Sequence, residues 1–182
     1  MPLTPFQRTK LARMFDVLDV NGDGHIGVAD YMRRVEALAR LRGWSDESSE
    51  YSRNMRFALE EWQNLSESAD VNDDGEVSRA EFLRYGDTFL DDRDAVRAYA
   101  RGDVQLLFDA MDTDGDGKIT RDEYRAYLEV CRVDASAADV FFAHADLNED
   151  GRITRAEMAH AVEEFLLSED PDSGGNFLFG PP

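Results

Sequence analysis

Along this chain the apolar residues fall into helical runs, spaced three and four apart, that four short acidic segments interrupt. Ahead of the interruptions stand Phe15 and Leu18, then Phe108 and Met111, then Phe141, Phe142 and Ala145. After them come Tyr31, Val35 and Leu38, Phe82 and Tyr85, Tyr124, Tyr127 and Leu128, and finally Met158, Val162, Phe165 and Leu166. The spacing predicts one helix entering and one helix leaving each break. The helix into the second break has the weakest stripe: Ser66 and Ala69 stand where the others carry larger groups, so Trp62 and Leu65 must supply its core face. At the N-terminus Thr4 is placed to cap, Pro5 suits the first helical position and Gln7 completes a capping box. Two long helical patterns between the first and second breaks part near Gly43-Trp44-Ser45, and the acidic run Asp91, Asp92, Asp94 around Arg93 reads as a cap and linker.

The four breaks share one grammar. They begin at Asp19, Asp70, Asp112 and Asp146 and align without gaps over twelve positions. Positions one, three and five carry oxygen side chains: Asp19, Asn21, Asp23; Asp70, Asn72, Asp74; Asp112, Asp114, Asp116; and Asp146, Asn148, Asp150. Position six is Gly24, Gly75, Gly117 or Gly151, where the chain reverses too sharply for a Cβ. Position twelve is Asp30, Glu81, Glu123 or Glu157. This is the ligand order of the calcium loop of an EF-hand. A hard cation wanting six to eight oxygens takes side chains from one, three, five and twelve and a backbone carbonyl from seven. Position seven is therefore free to vary as His25, Glu76, Lys118 and Arg152, while Gly27, Ser78, Thr120 and Thr154 at position nine suit a water-mediated contact. Ile26, Val77, Ile119 and Ile153 at position eight point away from the metal and are expected to form short two-stranded contacts between paired loops. One such segment is also a good acidic turn in its own right, but four with the same pattern are not explained that way.

The fold expected is all-α: a compact four-EF-hand arrangement of two helix-loop-helix pairs, residues 1–90 and 91–169, followed by a tail, 170–182. The loop starts are 51, 42 and 34 residues apart, so each interval has room for two helices. The tail's Phe177, Leu178 and Phe179 follow an acidic, glycine-bearing stretch and are expected to fold back into an apolar cleft, in the place of a target peptide.

The unequal intervals, Asp30 at position twelve of the first loop, and the tail from Gly175 through Asn176, Phe177, Leu178, Phe179 and Gly180 to Pro181 resemble the calerythrin group, bacterial relatives of the invertebrate sarcoplasmic calcium-binding proteins. The resemblance covers essentially the whole chain. It implies a compact four-hand protein that buffers or carries calcium, with magnesium competing. In that group the second hand is often degenerate; here Asp70, Asn72, Asp74 and Glu81 are complete, and the second loop is expected to bind.

The loops differ in charge and reach. Carboxylates at positions one, three, five and twelve number three, three, four and three, which makes the third loop the expected strong site. Asp30 is one methylene shorter than its counterparts, so the first loop is expected to coordinate fewer oxygens and to shift toward magnesium.

Composition narrows the class without choosing it. With 42% hydrophobic residues and 10% aromatics the chain of 182 residues can bury a core, and its net charge of −19 disfavours nucleic acid and anionic membrane as partners. Four bound calcium ions, contributing +8, bring −19 to −11. Cys131 is the sole cysteine, the N-terminal residues have no signal-peptide pattern, and no apolar run is long enough to span a bilayer, so the expected location is cytoplasmic. Cys131, His144 and His160 stand in no nucleophile or acid–base constellation, and no enzyme is expected. Trp44 and Trp62 both lie in the first half and read as core aromatics. The six methionines are scattered, unlike the Met-rich grooves of sensors, which favours a buffer over a sensor that grips a target helix. A protein partner is not indicated, and nothing demands more than a monomer.

Overall fold

The computed structural model describes residues 3–180, with the side chains of Asp103, Gln105 and Leu106 outside that description; Pro181 of the tail therefore also lies outside it. Among the described residues the order is α1 (Pro5–Leu18), β1 (His25–Ile26), α2 (Val28–Arg42), α3 (Ser49–Ala69), β2 (Val77–Ser78), α4 (Arg79–Phe89), α5 (Arg93–Met111), β3 (Lys118–Ile119), α6 (Arg121–Val130), α7 (Ala137–Ala145), β4 (Ile153–Thr154) and α8 (Arg155–Leu167), closed by a 3₁₀ turn, Gly174–Phe177. This is an all-α fold with two minimal ribbons, as the apolar periodicity predicts.

Local chemistry accounts for where the helices start. Thr4 accepts a hydrogen bond from the Gln7 amide and Gln7 Oε1 returns one to Thr4, with Pro5 at the first position. Asp92 caps α5, accepting from the amides of Asp94 and Ala95. The four helices that leave the loops begin at position ten, so position twelve falls at the third helical residue and closes a capping box in the second, third and fourth loops; in the first, where the N-cap is Gly27, only the bond from its amide to Asp30 is made. One carboxylate thus serves both helix start and candidate metal site.

Antiparallel pairing sets Ile26 against Val77 and Ile119 against Ile153. All four side chains are fully buried, which ties each pair of loops back to back. Beneath them lie Phe15, Phe108, Phe141, Phe142 and Phe165, each essentially inaccessible to water. Burying rings of this kind stabilises by about 2 to 3 kcal/mol apiece before entropy is charged against it. The two halves meet through α1 on α8, α2 on α6 and α4 on α5, while α5 packs on α8 within the second half.

The helix with the weak stripe, α3, runs for 21 residues and buries Asn54, Ala58, Leu65 and Ala69. Leu65 serves the core face as expected, whereas Trp62 is only half-buried, tilted against Tyr31 at 6.0 Å between ring centroids. Small residues allow close approach on this face instead. Among the described residues no helix is long and apolar enough to cross a membrane.

Candidate functional site

Each loop is wound around its first carboxylate. In the first, Asp19 Oδ1 accepts the amides of Gly22 and Asp23 at 2.8 and 3.1 Å, and Oδ2 accepts that of Gly24 at 2.9 Å. Asp70 does the same for Asp73, Asp74 and Gly75, Asp112 for Gly115, Asp116 and Gly117, and Asp146 for Asp150 and Gly151. These bonds require the backbone to turn through positive φ at position six, between 80° and 89°, which is why glycine stands there in all four loops.

Positions three and five then fall into line. Asn21, Asn72, Asp114 and Asn148 accept the amide of position five, and Asp23, Asp74, Asp116 and Asp150 accept that of position seven. The backbone amides of His25, Glu76, Lys118 and Arg152 are held in this way. In the first two loops the amides of Asn21 and Asn72 also donate to the Asp23 and Asp74 carboxylates at 2.7 and 2.8 Å. In the third loop, the one with carboxylates at all of positions one, three and five, ligand oxygens of Asp112, Asp114 and Asp116 lie within 4.8 Å of one another.

The position-twelve carboxylates lash the end of each loop to its start. Glu123 Oε1 accepts the backbone amide and hydroxyl of Thr113, both at 2.6 Å, while Oε2 accepts those of Thr120 at 2.8 Å. Burial opposes ionisation of Glu123, but these hydrogen bonds outweigh it and hold its carboxyl below the usual glutamate range. Glu81 reaches Val71 and Ser78, and its carboxyl is likewise held low, chiefly by the Ser78 hydroxyl. Glu157 reaches Leu147 and Thr154. Asp30 differs. Its shorter side chain accepts from Asn21, at position three rather than two, and from Gly27, at 3.1 and 2.9 Å, and it is 2% exposed.

One feature was not legible in the loop grammar. Lys118 and Arg152, the two basic residues at position seven, reach across the β3–β4 ribbon to the opposite loop. Lys118 Nζ meets Asp150 Oδ2, and Arg152 meets Asp116. The Lys118 contact holds the Asp150 carboxyl below the normal aspartate range. The first pair has no counterpart among the described residues: His25 lies 3.9 Å from Asp23 of its own loop. The available signal was basic residues at position seven in both members of one pair, since the antiparallel register sets Lys118 opposite Thr154, two residues along the chain from Arg152.

The donor set fits a hard divalent cation. The side chains facing each loop centre are carboxylate and amide oxygens, with no sulfur or imidazole among them, as calcium or magnesium requires. The other chemistry-bearing residues lie elsewhere. Cys131 is buried at the end of α6, where burial pushes its thiol pKa up. His144 stacks on Phe177, and His160 lies 3.6 Å from Glu164.

Known families agree with this geometry. Residues 8–85 match the model of an EF-hand domain pair, and residues 104–128 and 138–162 each match that of an EF hand. Sarcoplasmic calcium-binding proteins I, III and IV of Branchiostoma lanceolatum are 28% identical over 185 aligned residues, covering 98% of both chains. A Streptomyces coelicolor calcium-binding protein superposes with a TM-score of 0.76 at 25% identity, over 88% of this chain and 97% of that one. An amphioxus sarcoplasmic calcium-binding protein shares the fold with a TM-score of 0.77 at 22% identity, over 99% of this chain and all of the other. The chain is an EF-hand calcium-binding protein related along its whole length to the sarcoplasmic calcium-binding proteins.

Proposed function

We propose that this protein is an intracellular calcium buffer or store of the cytoplasm, binding up to four calcium ions, with magnesium competing most at the first loop. The ligands are Asp19, Asn21, Asp23 and Asp30; Asp70, Asn72, Asp74 and Glu81; Asp112, Asp114, Asp116 and Glu123; and Asp146, Asn148, Asp150 and Glu157. His25, Glu76, Lys118 and Arg152 contribute backbone carbonyls. The ions supply only charge and coordination. The chain's own work is to hold oxygens at the right spacing, act as a monomer of two hand pairs, 1–90 and 91–169, and keep the described part of the tail, 170–180, on the body.

The observation that carries the buffer reading is the packing of that tail. Leu178 is 7% exposed, Phe179 meets Phe165 edge-on at 5.5 Å, and the Tyr124 hydroxyl donates to the Leu178 carbonyl. A groove between α7 and α8 filled by the chain's own residues does not offer itself to a target helix. A sensor reading draws support from the Streptomyces coelicolor protein, whose structure is described as a basis for prokaryotic calcium-mediated regulation.

The deciding experiment is a calorimetric calcium titration of metal-stripped protein, with and without about 1 mM magnesium. Buffer sites bind near 10⁻⁸ M and weaken with magnesium, whereas sensor sites lie near 10⁻⁶ M and are indifferent to it. Three ions in place of four would mean that a complete loop motif is not sufficient for binding, with the second loop the first to test by substitution of Asp70.

A further inference from the structure

Two buried or half-buried cations in this protein are treated in opposite ways. Lys10, on α1, is 2% exposed, and its ammonium donates to the carbonyls of Ser168 and Glu164 and to Asn176 Oδ1 at 2.6, 3.4 and 3.0 Å. Every N–H of that ammonium has an acceptor. Arg34, on α2, is half-buried among Tyr31, Tyr99, Tyr127 and Cys131, with its guanidinium 5.2 Å from the centre of the Tyr31 ring. Among the described residues it meets no carboxylate at ion-pairing distance and no hydrogen-bond acceptor. Its neighbour Arg33 turns the other way, toward Asp30. A guanidinium carries five donors in a planar fork, and at this half-buried position they are left for solvent or a ligand to satisfy.

Arg34 borders a cavity of about 170 Å³ between the N-terminal helices and α5. Leu11, Met14, Phe82, Phe89 and Leu107 give it apolar walls, and Arg34 is the one cation among its described lining residues. We propose that this cavity binds a compact apolar carboxylate, whose head group pairs with Arg34 while its hydrocarbon body fills the apolar space.

Size, charge and geometry each restrict the ligand. A cavity near 150 Å³ takes a ligand the size of benzene, and drug-sized molecules need 300 Å³ or more, so the occupant has roughly ten heavy atoms. The guanidinium fork matches a carboxylate bidentately, which a hydroxyl or an amide cannot reproduce. Glu61 also lines the space and disfavours a second negative group, so the ligand carries one acid on an uncharged body. The body is a short aliphatic chain or a single aromatic ring. The overall charge of −19 slows the approach of any anion, but at physiological salt that field is screened within about 8 Å, and Arg34 dominates inside the cavity. The proposal rests on the cavity and not on the buffer reading.

The test uses the calcium-loaded full chain at about 0.15 M salt, with octanoate and phenylacetate as probes and 1-octanol and 2-phenylethanol as their uncharged counterparts, read by calorimetry and by NMR shifts of Tyr31, Phe82 and Leu107. At least one acid should bind tenfold or more tightly than its alcohol, and which acid does so separates an aliphatic from an aromatic ligand. Arg34→Gln should bring the acid down to the level of its alcohol. Leu107→Trp, which fills the space, should abolish binding of both. A calcium titration of each variant checks that the loops survive, and if Arg34→Gln does not fold, the acid-to-alcohol ratio on the native chain and the Leu107→Trp result decide. Equal binding of acids and alcohols, acid binding indifferent to Arg34→Gln, or no binding of any probe by calcium-competent protein would each overturn the proposal.

Discussion

The ammonium of Lys118 lies 2.5 Å from Asp150 Oδ2, so a position-seven side chain of the third loop grips a position-five carboxylate of the fourth. Arg152 returns the contact to Asp116, and the two candidate sites of the second pair are cross-linked through their own ligands. Both pairs are partly exposed and individually weak. Their placement still sets two cations against incoming calcium. Replacing both, Lys118→Gln with Arg152→Gln, should tighten calcium binding by the second pair about three- to tenfold, in keeping with the modest worth of exposed charges. Calorimetry on the single and double variants would read this, and non-additive gains would mark the coupling between the loops. Unchanged affinity in the double variant would mean the contacts dissolve in solution.

Asp30 reaches the amide of Asn21 at position three, whereas Glu81, Glu123 and Glu157 each reach the residue at position two, Glu157 taking in Asn148 at position three as well. A shorter side chain draws a tighter loop. Asp30→Glu should therefore raise the calcium-to-magnesium preference of the first loop, by about tenfold, because the longer carboxylate offers both oxygens to an ion that tolerates seven or eight ligands. Competition titrations monitored by Trp62, which packs near this half's core, would measure it. An unchanged ratio would remove side-chain length as the cause of selectivity.

The loops were legible in the sequence because the chemistry of an oxygen-ligated cation fixes residue type at fixed intervals. The pairing of Ile26 with Val77 and of Ile119 with Ile153 followed from the same register. The helix break near Gly43 and the cap at Asp92 followed from turn and cap chemistry. What stayed hidden depended on distant segments. Lys10 and Arg34 sit at helical positions where charged residues usually meet solvent, and nothing local distinguishes them. Lys10 is buried by Ser168 and Asn176, more than 150 residues downstream. The half-buried Trp62 shows the converse: in α3 Ala58 and Ala69 pack closely where sequence reasoning expected a large ring.

Burial lowers the Lys10 pKa from 10.5 to about 8, against the opposing pull of Glu164 and Glu169. The folded state therefore sheds its proton before the unfolded chain does. Between about pH 8 and 10.5 the unfolded state binds more protons, and stability from this group rises with pH across that window. Compared with Lys10→Met, which lacks the titration, the native chain should gain relative stability as pH rises from 7.5 to 10, by at most about 3 kcal/mol at roughly 1.4 kcal/mol per pKa unit. Denaturant melts of the calcium-loaded forms would show it. A gap between the two proteins that is flat with pH would place the Lys10 pKa near its ordinary value.

The tail meets the body with almost no clearance. A Cβ on Gly175 would lie 2.2 Å from the Ala161 carbonyl oxygen and 2.6 Å from the Phe165 amide, so only glycine lets the tail cross α8 at this point. Beyond it Asn176 is 1% exposed, donating to the carbonyls of Asp170 and Pro171 while its oxygen accepts from Lys10. Phe177 stacks on His144 at 4.1 Å. Truncation after Asp170 should expose Phe165 and Tyr124, raise the fluorescence of a hydrophobic dye at least about twofold, and cost about 3 to 5 kcal/mol, the usual scale for losing two or three buried side chains. Gly175→Ala should do the same in lesser degree, because it leaves the residues present but lifts them from the groove. Dye binding that rises on truncation and not in Gly175→Ala would mean α8 yields to the added methyl group. If neither variant changed dye binding or stability, the tail would not be the cover of this groove, and the buffer reading would lose its principal support.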